Sequence, residues 1–339
     1  MKINKPIFFE KNRVYRVYKG GALFSEFFQD GSPDSNFPEE WIASCVSALN
    51  KEARCEREGV SRVKSSGEYF DELLEKNRYE MLGPSGKMRI LVKILDSAVR
   101  LPAQAHPDKE FSRKYFGSEY GKTESWIIIG KREGAGIYFG FKEGITEDDF
   151  RLAVSLSEND KNAMERLMNF IPVNVGDVFI VPAKAVHAIG CGCLILEVQE
   201  PTDFTIQPER WCDDYRLSDG EMYLGLTQDQ AIGCFNFGET AKAEVKPEPL
   251  SSCDGVTVES LINRKHTDCF VINRIKLCGG EFSLNLSDTY GVYIVTDGDG
   301  EIIGADYCQK IQKGDYFFMP YSAMGNYKLV GNMEVIECY

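Results

Sequence analysis

Residues 176–187 read Gly-Asp-Val-Phe-Ile-Val-Pro-Ala-Lys-Ala-Val-His, and residues 314–325 read Gly-Asp-Tyr-Phe-Phe-Met-Pro-Tyr-Ser-Ala-Met-Gly. Each segment has a Gly-Asp turn, a four-residue apolar run and a proline, which predicts a turn into a buried strand that ends at the proline. This internal repeat predicts two related β-barrels, although two Gly-Asp turns can also resemble each other by chance. The copies differ at their last position, where His187 can bind a metal ion and Gly325 cannot.

Helix signals are confined to the part of the chain that precedes the repeat. Hydrophobic spacing and N-cap residues predict helices at residues 66–81, where Ser66 can form the N-cap, at residues 108–116, and from Thr146 to residue 170, with or without a break. The almost wholly apolar run at residues 89–95 predicts a buried strand, in which Lys93 is an unusual charged residue. After Pro172 the signals are nearly all strand and turn, so the predicted fold is mainly β with helical insertions in its N-terminal part.

The length of 339 residues suggests two domains. A stretch rich in proline and charged residues at 240–249 resembles a linker. We therefore predict a larger domain at residues 1–240 that carries the chemistry, and a smaller metal-free β domain at residues 250–339. The second barrel is a candidate surface for self-association, and the sequence leaves a monomer and a homodimer open.

The net charge argues against a nucleic-acid-binding protein, and the cysteines indicate the cellular compartment. Because 39 basic and 52 acidic residues give a net charge of −13, the chain repels phosphate backbones and we expect no nucleic-acid partner. If the substrate is anionic, a local cationic pocket must overcome that field. There is neither a signal-peptide pattern nor an apolar run of the roughly 18 residues that a membrane span needs. Eleven scattered cysteines are typical of reduced, mostly buried thiols, so we expect a cytoplasmic protein.

A candidate metal site comes from three separate segments. If residues 101–108 are extended, Gln104 and His106 are two residues apart and point to the same side. Glu124 precedes a predicted strand, and His187 ends the first copy of the repeat. Two imidazoles, a carboxylate and an amide oxygen form a mixed nitrogen and oxygen site that suits zinc. Each histidine taken alone is also compatible with an ordinary packed core position.

The same segments resemble a known family. The motifs are Gln-x-His-Pro-Asp at residues 104–108, Gly-Lys-Thr-Glu at residues 121–124 and the Gly-Asp to His-Ala-Ile-Gly run at residues 176–190. In order and spacing they resemble the type I mannose-6-phosphate isomerases of the short bacterial kind, over most of residues 1–215. The resemblance implies two cupin-type β-barrels (jelly rolls), one zinc ion per chain, and isomerase activity in carbohydrate metabolism.

The resemblance also implies roles for individual residues. The zinc ligands carry over onto Gln104, His106, Glu124 and His187. Glu197 matches an acidic pocket residue and is a candidate proton shuttle, with Lys122 as its electrostatic partner. Lys93 matches another lysine of the substrate pocket, although a lysine at the edge of a sheet whose stem alone is buried would give the same pattern.

Several pocket positions depart from the family. Gln207 stands where the family has an arginine held to be important for catalysis, and Pro102 stands where a serine usually helps to hold phosphate. Tyr18 is the nearest candidate for an aromatic residue that precedes the early Gly-Gly pair, and Lys184 replaces a glycine. Because glutamine carries no charge for binding a phosphate, Arg210 or Lys184 is a candidate to supply the missing positive charge. We therefore expect Lys93, Arg210, Gln207 and Tyr18 to contact the substrate.

Three functions are compatible with these observations. The first is a zinc-dependent aldose–ketose isomerase that interconverts mannose 6-phosphate and fructose 6-phosphate through a cis-enediol. The second is a related zinc cupin isomerase that acts on a different sugar, with or without a phosphate group. The third is a non-catalytic sugar-binding cupin. The changed pocket residues favour the second and third functions, whereas the complete ligand set and both lysines favour the first two.

Overall fold

A computed structural model describes residues 3–238 and 242–339 of the chain. Its strands are numbered in chain order: β1 (Ile7–Phe8), β2 (Arg13–Val14), β3 (Glu39–Ile42), β4 (Leu91–Asp96), β5 (Glu124–Lys131), β6 (Gly136–Phe141), β7 (Met168–Pro172), β8 (Val178–Val181), β9 (His187–Ile189), β10 (Cys193–Gln199), β11 (Trp211–Cys212), β12 (Tyr215–Arg216), β13 (Glu244–Val245), β14 (Glu248–Cys253), β15 (Val256–Ile262), β16 (Ile272–Ser283), β17 (Gly291–Gly304), β18 (Tyr307–Gln312), β19 (Tyr316–Met319) and β20 (Lys328–Cys338).

Short helices are inserted between these strands. They are α1 (Ala22–Phe28), α2 (Phe70–Lys76), α3 (Arg78–Leu82), α4 (Lys109–Phe116), α5 (Glu147–Leu156), α6 (Asp219–Tyr223) and α7 (Gln228–Ile232), with single 3₁₀ turns at Glu165–Leu167 and Tyr321–Ala323. None of the described helices is both long enough and apolar enough to cross a membrane.

The strands form two large antiparallel sheets and two small ones. The first large sheet has the order β13-β8-β5-β10-β4-β3-β2, and the second has the order β1-β19-β17-β20-β16-β15-β14, with β18 paired to β17. A three-stranded sheet, β7-β6-β9, and the β11-β12 ribbon complete the β structure of the described residues. The mainly β prediction is confirmed. The two predicted barrels are built of open sheets, since no sheet of the described ranges closes on itself.

The internal repeat of the sequence is also a repeat of structure. β8 and β19 hold equivalent places in the two large sheets, and Gly176 and Gly314 turn into them with φ values of 97° and 92°, which favour glycine. The register agrees as well, because Phe179 faces Trp126 and Phe317 faces Tyr293. The same fold unit therefore occurs twice, and only its first copy ends at a histidine.

The two units exchange edge strands. β1, near the start of the chain, pairs with β19 of the second sheet, while β13, which follows the first unit, pairs with β8 of the first sheet. The division into residues 1–240 and 250–339 stays a prediction, and part of the predicted linker, residues 239–241, lies outside the described residues.

Alternation along β10 explains how the first large sheet positions charged residues. Leu194 and Leu196 belong to the apolar core between the two large sheets, whereas Ile195 belongs to the core inside the first unit. Glu197 follows on the same face as Ile195, because successive side chains of a strand point to opposite faces. On the neighbouring strand β4, Lys93 is directly opposite Glu197. A lysine thus lies in an apolar strand because it faces a carboxylate across the ladder.

Two of the three predicted helices differ from the structure. Helix α4 is as predicted and is capped by the Asp108 side chain, which accepts from the Phe111 amide. The segment 66–81 does not start at Ser66, because Gly67 has φ +68° and the chain is still extended at Tyr69. It is also interrupted at Asn77, whose φ of −134° separates α2 from α3.

The third predicted helix is too long, and later helices were missed. Helix α5 begins after the Thr146 capping box, as expected, but ends at Leu156. Residues of the predicted continuation form β7, where Ile171 pairs with Ile137 of β6. Helices α6 and α7 lie in the region that the sequence signals assigned to strands and turns.

The cysteines also differ in part from expectation. All eleven are unpaired, as predicted for reduced thiols. However, five are buried and the others are exposed or intermediate, so the expectation of mostly buried thiols is wrong.

Candidate active site

Backbone pairing brings the predicted metal ligands together. Glu124 begins β5, and His187 begins β9. An isolated bridge then joins Gln104 to His187, since each residue's amide donates to the other's carbonyl at 2.9 Å. His106 is two residues further along the same segment and is 1% exposed. The expected same-side arrangement of Gln104 and His106 therefore delivers both side chains toward β5 and β9.

The two imidazoles present the same nitrogen to Glu124. The Nδ1 atom of His106 lies 2.9 Å from the Phe204 carbonyl, and that of His187 lies 2.9 Å from the Ala185 carbonyl, so both Nδ1 atoms carry the hydrogen. Both Nε2 atoms therefore keep a lone pair. They lie 3.1 Å and 3.3 Å from the Glu124 oxygens. Backbone carbonyls of this kind fix the tautomer of metal-binding histidines.

The Glu124 carboxylate fits a metal ion better than it fits its protein neighbours. Both of its oxygens are fully buried, and neither accepts a hydrogen bond from the described part of the chain. Two imidazole lone pairs face it, so no proton joins these groups. The charge of Lys122 lies 3.1 Å from Oε2 but leaves both oxygens without a hydrogen bond, and a divalent cation would satisfy them and both nitrogens at once. The candidate ligand atoms of His106, Glu124 and His187 lie within 4.8 Å of one another.

Gln104 completes the group. Its amide nitrogen lies 3.2 Å from His187 Nε2, and the residue is 7% exposed. A half-turn of the amide exchanges Nε2 for Oε1, so its oxygen can reach the same point. All four predicted ligands are therefore neighbours in the structure.

Lys122 lies against this cluster. Its Nζ is 2.9 Å from His106 Nε2 and 3.1 Å from Glu124 Oε2, and the residue is buried. Burial, followed by the positive charge of Lys122, lowers the pKa of His106 to about 3. The imidazole is therefore neutral at physiological pH, which is the form that binds metals. Burial acts to raise the pKa of Glu124, but the charge of Lys122 outweighs it and holds that pKa well below its usual range.

Lys93 and Glu197 form a second buried group on the same face of the sheet. Lys93 Nζ lies 3.3 Å from Glu197 Oε2, and the Trp126 indole donates to Glu197 Oε1 at 3.1 Å. Burial, and next the negative charge of Glu124, raise the pKa of Glu197. Burial acts to lower the pKa of Lys93, but Glu197 and Glu39 raise it above the usual value. A charged lysine thus stands beside a carboxyl group that ionises less readily than usual.

Three charged residues of this group were missed by the sequence reasoning as site residues. Arg16 donates to Glu39 at 2.9 Å and to both Asp203 oxygens at 2.9 and 3.1 Å. Burial acts to raise the pKa of Glu39, but Arg16 and Lys93 lower it to about 2. The available signal was the run at residues 14–18, where Arg16 interrupts an apolar and aromatic stretch as Lys93 does in β4.

One cavity of about 770 Å³ adjoins both groups. Its lining includes six of the predicted residues: Tyr18, Lys93, Gln104, Lys122, Glu197 and Gln207. Tyr18 is buried and its hydroxyl donates to Glu39 at 2.7 Å. Gln207 donates to the Glu221 carbonyl at 3.2 Å. The volume is in the range of small-molecule sites.

Arg210 is the exception among the predicted substrate residues. It is not part of the lining of this cavity. Its guanidinium is paired with Glu158 at 2.8 Å and with Asp219 at 2.9 Å. Lys184, the other candidate replacement for the missing charge, lies 4.0 Å from Asp108 and is likewise absent from the lining. Neither residue brings its positive charge to the cavity in this structure.

Comparison with known proteins gives consistent results. The chain is 29% identical to the mannose-6-phosphate isomerase of Streptococcus mutans over 340 residues, which covers 99% of this chain and 98% of the relative. It is also 29% identical to the mannose-6-phosphate isomerase ManA of Bacillus subtilis, covering 98% of each chain. The sequence matches no protein-family model.

Solved structures agree with the sequence comparison. The mannose 6-phosphate isomerase from Bacillus subtilis superposes with a TM-score of 0.79 at 21% identity, and the match covers 99% of this chain and 100% of that one. The shared fold thus includes the second unit and not only the segments that carry the motifs. Over its full length the chain is thus similar to proteins named mannose-6-phosphate isomerase, and it shares the fold of a solved one.

Proposed function

We propose that the protein is a zinc-dependent aldose–ketose isomerase that interconverts mannose 6-phosphate and fructose 6-phosphate. The observation that carries the proposal is the buried Glu124 carboxylate, which faces two imidazole lone pairs and accepts no hydrogen bond from the described residues. Full-length similarity to enzymes named for this substrate supports the choice of reaction.

Gln104, His106, Glu124 and His187 would hold the zinc ion. Zinc bound there would polarise the sugar carbonyl and stabilise the negative charge that develops on its oxygen. The Nδ1 contacts to the Phe204 and Ala185 carbonyls keep both histidines in the required tautomer.

Glu197 is the residue that we assign to proton transfer. The isomerisation moves a proton between adjacent carbons through a cis-enediol, which requires a base beside those carbons. Glu197 lines the cavity and faces the ligand cluster from β10, and the Trp126 indole and Lys93 fix its two oxygens. Lys122, between the ligands and the cavity, is placed to stabilise negative charge on the substrate.

The first experiment is the interconversion of mannose 6-phosphate and fructose 6-phosphate by zinc-loaded protein, in the wild type and in Glu197→Gln. We expect turnover by the wild type and a loss of about a hundredfold or more in the variant, with the zinc content unchanged. Glu209→Gln is a control at a buried carboxylate outside the cavity lining. Equal turnover by wild type and Glu197→Gln would remove Glu197 from the mechanism.

A second candidate function rests on the changed residues of the cavity. Gln207 and Pro102 both line it, at the positions where the family resemblance leads us to expect an arginine and a serine. Without those groups the cavity is also compatible with an unphosphorylated sugar. Assaying mannose beside mannose 6-phosphate separates the two, because the second function predicts the higher kcat/KM for the unphosphorylated sugar.

We also propose that the protein is cytoplasmic, which its eleven unpaired cysteines support.

A further inference from the structure

The cations deep in the cavity are already neutralised. Arg16 is paired with Glu39 and Asp203, Lys93 with Glu197, and Lys122 with Glu124. A phosphate dianion needs positive charge that nearby carboxylates do not already balance. The inner part of the cavity therefore does not supply the charge that Gln207 lacks.

Two further cations line the cavity at its opening. They are Lys51 and Arg54, which we call the cationic rim, and both are exposed. Within the described ranges, Lys51 has no ion pair, and the nearest carboxylate to the Arg54 guanidinium is the exposed Glu52 at 3.8 Å. Such an exposed pair at that distance contributes little, so both charges are available to a ligand.

The rim is anchored to the inner residues of the cavity. The Leu49 amide donates to Asp203 at 2.8 Å, and Arg16 donates to the Asn50 side chain at 3.1 Å. These contacts hold the segment that carries Lys51 to the pair formed by Arg16 and Asp203. The rim is thus tied to the same charged group that contains Lys93 and Glu197.

A second set of contacts holds Arg54. The buried Glu58 carboxylate accepts from the Arg54 amide at 3.1 Å, from the Asn50 side chain at 3.0 Å and from the Tyr15 amide at 2.8 Å. The Arg54 guanidinium lies 4.3 Å from the centre of the Tyr15 ring, which also lines the cavity. Arg54 is therefore held against a ring of the cavity lining, where its guanidinium can contact a ligand at the opening.

The carboxylate of Glu221 lies across the opening, and its negative charge partly offsets that of Lys51. It accepts from the Ser218 amide and hydroxyl and from the Tyr215 hydroxyl, so its oxygens are held toward these residues. Gln207 lies behind it, bonded to the Glu221 carbonyl. The rim and this polar wall enclose an opening in which an anionic group can contact Lys51 and Arg54.

We propose that Lys51 and Arg54 bind the phosphate group of the sugar phosphate, so that the charge supplied by an arginine elsewhere in the family comes here from a different segment. This inference rests on the proposed function for the identity of the ligand. The chemistry of the rim, two cations that can bind a phosphate group, is inferred independently of the proposed function.

The test uses the zinc-loaded full chain and the variants Lys51→Ala, Arg54→Ala and the double variant. Each single substitution should raise KM for mannose 6-phosphate about tenfold, and the double variant roughly thirtyfold or more, with a much smaller change in kcat. Arg54→Lys should recover part of the loss. The control is Lys64→Ala with Lys310→Ala, which removes two exposed lysines away from the cavity.

Binding of inorganic phosphate, measured by calorimetry, separates the two proposals. If the wild type isomerises mannose 6-phosphate and the double variant has the same KM, the rim inference is overturned and the proposed function stands. If the wild type has no such activity, the proposed function fails. Phosphate binding that is weakened at least tenfold in the double variant would then still support the rim, and binding equal in both proteins, or absent from both, would overturn it.

Discussion

Replacing Lys93 by methionine removes the only cation within 4 Å of Glu197 among the described residues, where the two charged atoms are 3.3 Å apart. At an effective dielectric constant of 20, this attraction is about 5 kcal/mol before desolvation is counted. Asp203 at 3.8 Å and Glu39 at 4.0 Å also lose a positive neighbour, but both keep Arg16.

The net loss of stability caused by Lys93→Met depends on the burial of the ion pair. Breaking a buried ion pair by removing one partner typically costs 3–5 kcal/mol, and protonation of Glu197 limits the cost, so we expect Lys93→Met to lower the free energy of unfolding by about 3 kcal/mol. In a Glu197→Gln background the same substitution should cost about 1 kcal/mol, because no unpaired charge is left at position 197. The coupling energy is then about 2 kcal/mol.

Urea unfolding at pH 7 of the four zinc-loaded proteins in this cycle measures these quantities. The matched control is Lys276→Met, because Lys276 lies 3.4 Å from Glu334 on an equivalent strand but its side chain is 48% exposed. We expect that control to cost less than about 1 kcal/mol. Equal costs for Lys93→Met and Lys276→Met, or strict additivity of Lys93→Met and Glu197→Gln, would refute the reasoning.

Three further predictions concern residues around the site. Lys184 has φ +69°, so Lys184→Gly should raise the free energy of unfolding by about 0.5–1 kcal/mol, and a lower melting temperature would contradict this. The pKa of Glu39 is lowered from 4.5 to about 2, so its ionisation should contribute about 3 kcal/mol above pH 4.5 that is lost as the pH falls toward 2. Urea midpoints across this range should therefore fall more steeply in the wild type than in Glu39→Gln, and parallel curves would exclude the effect. Gln207→Arg should lower KM for mannose 6-phosphate about threefold or more, whereas a raised KM would show that the cavity does not accept a charge there.

Sequence patterns correctly predicted those helices and strands whose bounds are set by residues adjacent in the chain. The turn and the strand that ends before a proline, at residues 176–182 and 314–320, were predicted because each depends on a few adjacent residues. Helix α4 was predicted for the same reason, since Asp108 caps it directly. The predicted helix start at Ser66 was wrong because a local bridge between Arg62 and Tyr69 keeps the chain extended up to Tyr69.

The group of four candidate ligands was predicted through the resemblance of the motifs to a known family, because the contacts themselves are long-range and spacing alone left other readings open. Gln104 and His187 are 83 residues apart and become neighbours through one β-bridge. By contrast, nothing in the spacing indicated that Arg16 would pair with Asp203, which is 187 residues away. For Arg210 the sequence predicted a contact that the structure does not show. Its guanidinium was expected at the substrate but is paired with Glu158 and Asp219.

The most direct test of the central claim is the metal dependence of mannose 6-phosphate isomerisation in the wild type and in Glu124→Gln. After treatment with a chelator, we expect the wild type to lose its turnover and to regain it with one zinc ion bound per chain. Glu124→Gln should bind zinc at least about a hundredfold more weakly and should not recover under the same conditions. Full turnover by metal-free protein, or equal zinc affinity in the two proteins, would contradict the account.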